Sequence, residues 1–255
     1  MDESVALPRP ERVGERAPAD ASRSLSSPAK WIVALATLVW LIALALWAVD
    51  TDALRSFARE DGFIEYLGAA CYLVAGAGLM ALAVARPQGK LVLGVLGLGL
   101  FGVGGEEISW GQRIFGFGTP GTLESRNVQG ETSLHNIEAL HGPMWWIGLL
   151  VSASVFVLWP LLRPRVGFLR SLGDRFDAPV PSLVPSAVIV GQAVVLYVLN
   201  RGFKVDQGHF LGEVAETLLA SVALLFAIEA WYAHRGADLP IFPTDSSLHA
   251  DVADG

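Results

Sequence analysis

Cysteine is nearly absent from this chain. A single one, Cys71, sits inside an apolar run, which rules out an intrachain disulfide and any zinc site built from several thiolates. Charge is also scarce. Asp, Glu, Lys and Arg make up 17% of the 255 residues, where soluble domains hold about 25%. No stripe of Lys and Arg interleaved with aromatics is present, so the usual electrostatic footprint of a nucleic-acid binder is missing. HExxH, paired CxxC and GxSxG are likewise absent, and with them the short signatures of zincins, thiolate zinc sites and serine hydrolases. No basic segment leads directly into a short apolar run at the start, as a cleavable signal peptide requires. The first apolar segment begins only at Trp31 and reads as a retained span.

Apolar sequence is what the chain has in quantity. Hydrophobic residues account for 53% of it, and its mean hydropathy is +0.48. Six stretches approach the ~20 apolar residues that cross a bilayer: Trp31–Val49, Phe63–Ala85, Leu91–Gly105, Met144–Leu162, Pro181–Asn200 and Val214–Ala233. The third is short and is expected to continue as helix through Glu106 toward Arg113. Trp31, Trp47, Trp145, Trp146, Trp159 and Trp231 fall near span ends, where interfacial aromatics belong. The expected fold is therefore an all-α integral membrane bundle of about six transmembrane helices, with a structured loop, re-entrant in one reading, between spans 3 and 4. Residues 1–30, rich in Pro, Ser and charge, read as a disordered tail. The spans occupy 31–236, and 237–255 read as a second flexible tail. Placing both termini in the cytoplasm puts twelve of the 18 Lys and Arg residues inside. This is the positive-inside arrangement, and it points to an inner (plasma) membrane protein. The segment RPRVGFLRSLGDRFDAP between spans 4 and 5 suits a short helix lying on the cytoplasmic leaflet.

With six spans, the loops after spans 1, 3 and 5 share the outer face, and they carry most of the unusual chemistry. Asp61 ends the first loop, with Glu65 just inside span 2. The third loop begins GEEISWGQR (Gly105–Arg113) and continues through NVQGETSLHN (Asn127–Asn136), bringing Glu106, Glu107, Arg113, Glu131, His135 and Asn136, then Glu138 and His141. The fifth carries Asp206, His209, Glu213 and Glu216. Three of the five histidines lie on this face. Ionisable groups at the mouth of a span are costly unless paired, hydrated or bound to something, so they are functional candidates.

Helical spacing refines the picture. Asp206, His209, Glu213 and Glu216 share one face, as do His135, Glu138 and His141. Glu106, Trp110 and Arg113 also align, which predicts a Glu106–Arg113 pair and leaves Glu107 facing the cavity. The chemistry these types allow is a divalent metal such as zinc, with His135, His209 and Glu213 as ligands and one position open for water. Glu107 would act as general base, with Glu106 and Arg113 beside it, while Glu65, Asn136, His141, Asp206 and Glu216 support the site. A lipid or lipid-linked ester, amide or phosphoester would enter from the leaflet. Structural alternatives stand beside this reading. A carboxylate paired with Arg113 can simply fix the loop, His135 with Asn136 can satisfy loop backbone, and Glu65 and Glu216 can snorkel. A proton- or cation-coupled transporter would use the same carboxylates, and an accessory protein would use the loops for docking. The glycines of span 3 (Gly94, Gly97, Gly99, Gly102, Gly104, Gly105) suit close helix packing, and the turn-rich stretch after Phe115 is expected to fold back as a lid.

The segments GEEISWGQRIFGF and NVQGETSLHN resemble the signature of a family of bacterial multi-pass membrane proteins, and the resemblance implies the multi-span topology. A looser similarity links the chain to alkaline ceramidase-like membrane hydrolases, which combine histidines, an acidic residue and a serine in a helical bundle. This sequence departs from them in having six expected spans instead of seven. It also has His209-x-x-x-Glu213 where a His-x-x-x-His pair is expected.

Overall fold

In a bilayer every backbone N–H and C=O must find its partner inside its own segment, so apolar runs of this length become helices. The computed structural model describes residues 27–59, 61–202 and 210–235, and among them no strand occurs. The helices are α1 (Ser27–Val49), α2 (Thr51–Phe57), α3 (Phe63–Ala85), α4 (Lys90–Glu107), α5 (Gln112–Phe115), α6 (Gly121–Glu124), α7 (Glu138–Ala153), α8 (Trp159–Leu162), α9 (Gly167–Arg175), α10 (Leu183–Gly202) and α11 (Phe210–Arg235). Five stretches are long and apolar enough to cross a membrane: Pro28–Val49, Phe63–Ala85, Met144–Leu162, Leu183–Gly202 and Phe210–Arg235. The sixth is a broken span in which α4 is followed, after a 65° bend, by Ser109–Phe115. The third span is thus helical past Gly105 as expected, but it does not run straight to Arg113.

Span 4 is continuous only through a π-helical turn at Ser154–Leu158, which joins α7 to α8. Pro160 in α8 has no N–H to offer the carbonyl four residues back, and a wider turn just before it relieves the ring clash.

The bundle is organised around α11. Of its most apolar stretch 72% is buried, against 11% for α1, and it packs against α3, α10 and α1. Val214, Leu218, Val222, Leu225 and Phe226 fill the centre, with Phe226 edge-on to Phe156 at 5.8 Å. Polar contacts inside the bundle are few. Gln192 of α10 donates to the Thr37 hydroxyl of α1 at 3.0 Å.

Helices α3 and α4 touch backbone to backbone. A Cβ at Gly97 would lie 2.8 Å from the Met80 nitrogen, and one at Gly104 would lie 2.9 Å from the Leu73 nitrogen. Gly99 and Gly102 face open space, so only part of the expected glycine row packs.

Two ends follow from the loops. At one, Arg86 pairs with Asp177 at 2.6 Å and Arg163 with Asp174 at 2.8 Å. These ion pairs fix α9, the expected surface helix, whose Phe168 is exposed. The other end gathers Asp61, the 106–137 segment and the first turn of α11, and holds the site.

Candidate functional site

The bend after α4 determines the rest of the site. Ser109, Trp110 and Gly111 have φ values of 47°, 55° and 83°. Two non-glycine residues in the left-handed region store of order 1 kcal/mol or more each, and such strain persists only where the surroundings impose it. Here the Ser109 hydroxyl donates to Glu131 Oε2 at 2.5 Å, and the Trp110 indole donates to Glu106 Oε1 at 2.7 Å. Ser109 is thereby committed to structure. The left-handed turns also remove Arg113 from the helical face it was expected to share with Glu106. Instead the Arg113 guanidinium pairs with Asp61 and Glu131.

Glu106 has a different task. Its Oε2 accepts from the Leu134 N–H at 2.5 Å and the His135 N–H at 3.1 Å, with His135 Nδ1 3.6 Å away. Added to the Trp110 bond, this makes Glu106 the anchor of the NVQGETSLHN segment. Gln112 grips the same segment from α5. It donates to the Thr119 hydroxyl at 2.7 Å and accepts from the Thr132 N–H at 2.6 Å. At the centre lies buried Asn127, whose amide donates to the Ser133 carbonyl at 2.8 Å. Its Oδ1 accepts from Gln129 and Glu131 N–H at 2.9 and 3.1 Å. Asn136 Nδ2 donates to Gln129 Oε1 at 2.5 Å. The loop therefore folds back over the helix ends as a hydrogen-bonded cap. Replacing Glu106 with Ala should free Leu134 and His135 from this anchor. Limited proteolysis should then cut the 127–136 segment at least about tenfold faster, because local opening follows the lost charge-assisted bonds. An unchanged rate would show that Gln112 and Asn127 hold the cap without Glu106.

Beneath the cap lies a cavity of about 200 Å³. Glu65 of α3, Glu107 of α4, and Glu213 and Glu216 of α11 line it, with Arg113, Glu131, His135 and Asn136 above and Trp145 at the side. A narrower recess continues inward between Glu65, Glu107, Glu213, Glu216, Gly68, Tyr72 and Thr217. Leu79 and Leu82 of α3, Leu93 of α4 and Leu225 of α11 are fully buried in the same helices.

Sequence reasoning placed Glu65, Glu107, Glu213 and Glu216 on one face, and all four meet in the chamber. Glu213 belongs to the helix itself, because α11 begins at Phe210, earlier than the expected Val214. His135 precedes α7 and turns toward Glu106, so it does not align with Glu138 and His141 on a helix. His141 falls in the first turn of α7, but its side chain lies outside the described residues, as do Asp206 and His209 entirely. Among the described residues no group of three His, Cys, Asp or Glu side chains is placed to hold a metal ion.

Four residues have roles that the sequence reading did not give them. Trp145 was expected at a membrane interface, yet it stands edge-on to Tyr197 at 5.4 Å and lines the cavity. Its partner signal was Gly212, where a Cβ would overlap the indole. Asp61 and Glu131 were visible as charges, but not as the partners of Arg113. Tyr72 lay hidden in the apolar run of span 2.

Fold and site together define a multi-pass helical membrane protein with an acidic chamber roofed by the segment between spans 3 and 4. No protein-family model matches the chain, and neither the curated proteins nor the solved structures yield a match.

Proposed function

We propose that the protein is a membrane-embedded hydrolase or transferase that works at the extracytoplasmic surface on a lipid or lipid-linked substrate. The observation that carries this reading is the convergence of Glu65, Glu107, Glu213 and Glu216, from three helices, on one capped cavity. General acid–base chemistry needs such paired carboxyl groups. Glu107 takes a proton from the attacking water or acceptor hydroxyl as its oxygen bonds to the ester carbon or phosphorus. Glu216 or Glu213 returns a proton to the departing oxygen as the old bond breaks. In the metal-assisted version, His135, His209 and Glu213 would hold a zinc ion, which would supply Lewis-acid polarisation of the substrate. The excess of Lys and Arg in the N-terminal segment and in the loops at the opposite end supports cytoplasmic termini and an outward-facing chamber.

The same glutamates support a second reading, proton- or cation-coupled transport, because Arg113 is directed to Asp61 and Glu131. Reconstituted protein should convert members of a phospholipid and glycolipid panel, followed by mass spectrometry. Glu107→Gln should lower turnover about 10²–10⁴-fold, the range of a lost general base, at unchanged melting temperature. Zinc should copurify and be lost in His209→Ala if the metal version holds. Inert protein that moves cations across the vesicle membrane would sink the enzyme reading in favour of transport.

A further inference from the structure

We infer that α9 binds an anionic phospholipid of the leaflet beside it, with the lipid phosphate held by Arg165, Arg170 and Arg175. The site lies at the opposite end of the bundle from the acidic chamber and does not depend on the reading given to that chamber.

Packing makes the first part of the case. A Cβ at Gly173 would come within 3.1 Å of the Trp159 ring, so α9 is seated closely against the end of span 4. The Trp159 indole donates to the Pro179 carbonyl at 3.3 Å and ties down the segment that follows. With that side taken, Phe168, Leu172 and Phe176, spaced four residues apart on one face, stay exposed, Phe168 by 72%. Leu158, Leu162 and Val166 lead into this face from span 4 and are exposed as well. The apolar surface of α9 thus continues the one that span 4 turns to lipid, and the bilayer interface covers both.

Charge supplies the second, independent part. Residues 163–178 hold four arginines and two aspartates. Asp174 is taken by Arg163 and Asp177 by Arg86. Arg165, Arg170 and Arg175 are exposed and have no acidic partner among the described residues. Arg165 donates to the Leu161 carbonyl, and Arg170 donates to the Pro164 carbonyl at 2.5 Å. Two guanidinium groups are thereby held at the same end of span 4. Arg175 lies over the Phe176 ring at 5.8 Å. A guanidinium has five N–H donors, so one bond to a carbonyl leaves it the donors that suit phosphate oxygens. Three positive charges without counter-charges, set beside an apolar face, match a lipid with a negative headgroup. A zwitterionic lipid brings its own ammonium against them.

Native mass spectrometry of the full chain in neutral detergent, titrated with phosphatidylglycerol, should show saturable binding. Phosphatidylcholine should bind about tenfold more weakly or worse. Arg165→Gln, Arg170→Gln and Arg175→Gln should each weaken phosphatidylglycerol about fivefold, and the triple variant about a hundredfold. Arg126→Gln, at the chamber end, should change nothing. Arg175 makes only its ring contact among the described residues, so Arg175→Gln should melt like the wild type and keeps the test decisive if the triple variant unfolds. Phe168→Ser should weaken both lipids alike, because it removes apolar area and no charge. Equal affinity for the two lipids overturns the inference, as does a preference that survives Arg175→Gln and the triple variant. A dimer that Phe168→Ser dissolves, without preference between lipids, gives the face to a second copy of the chain and overturns it too.

Discussion

Replacing Arg113 with Met is expected to destabilise the capped end by about 2–4 kcal/mol and to unfasten the loop. The guanidinium joins Asp61, at the start of span 2, to Glu131 in the cap. The Glu131 side chain is only 10% exposed, so removing its partner strands a buried carboxylate. Breaking a buried pair costs about 3–5 kcal/mol. The expected loss falls about 1 kcal/mol below that range because the Asp61 side chain is 49% exposed and regains water. Glu131 also accepts the Ser109 hydroxyl, so the left-handed turn at Ser109 and Trp110 should relax along with the cap. Arg113→Lys should recover only part of the loss, because one ammonium cannot reproduce a fork that reaches two carboxylates. Thermal melting in detergent, combined with proteolysis at residues 127–136, measures both effects. Wild-type melting of Arg113→Met would mean that the cap rests on its own hydrogen bonds alone.

Gly97→Leu is expected to abolish the folded bundle. A Cβ at position 97 meets the Met80 nitrogen at 2.8 Å and the Gly76 carbonyl oxygen at 2.9 Å, and backbone atoms cannot swing aside. Ordinary overpacking costs about 1–3 kcal/mol when side chains can shift. Here α3 and α4 must separate as whole helices, which also pulls Glu65 and Glu107 apart. Gly99→Leu and Gly102→Leu are the controls, since both positions face open space. Size-exclusion chromatography of the three variants should show aggregate or no protein for the first and wild-type peaks for the others. A monodisperse Gly97→Leu protein would contradict the backbone contact.

Much of the architecture was legible because hydropathy alone dictates it. An apolar run of 20 residues has one low-energy form in lipid, whatever its neighbours. The convergence of Glu65, Glu107, Glu213 and Glu216 was legible for a related reason: alternating spans bring every second loop to the same side. The bend was not. Ser109 and Trp110 carry no mark of a left-handed backbone, and only Gly111 suits it. Assuming a straight helix kept the Glu106–Trp110 contact correct, because those residues are one turn apart. It misdirected Arg113, which lies beyond the bend and chooses Asp61 and Glu131 from other segments. Partner choice among like charges depends on where separate segments meet, and spacing along one helix cannot report that. The second role of Trp145, as a cavity wall, was hidden for a comparable reason. An aromatic near a span end suits a membrane interface or a cavity equally well until a neighbour such as Gly212 decides.

The central position of α11 bears on how the protein is made. A ribosome delivers α1, α3, α4, α7 and α10 to the bilayer before α11 emerges, yet α1, α3 and α10 all lean on that late helix. Each earlier span can enter the bilayer alone, because insertion and helix association are separate stages. Until α11 arrives, α3 and α4 can already pack backbone to backbone, but the bundle lacks its central helix. The four glutamates of the recess come together at the same moment, since Glu213 and Glu216 ride on α11. The nascent protein thus carries no finished acidic chamber through most of its synthesis, and its assembly and its chemistry are completed by one event.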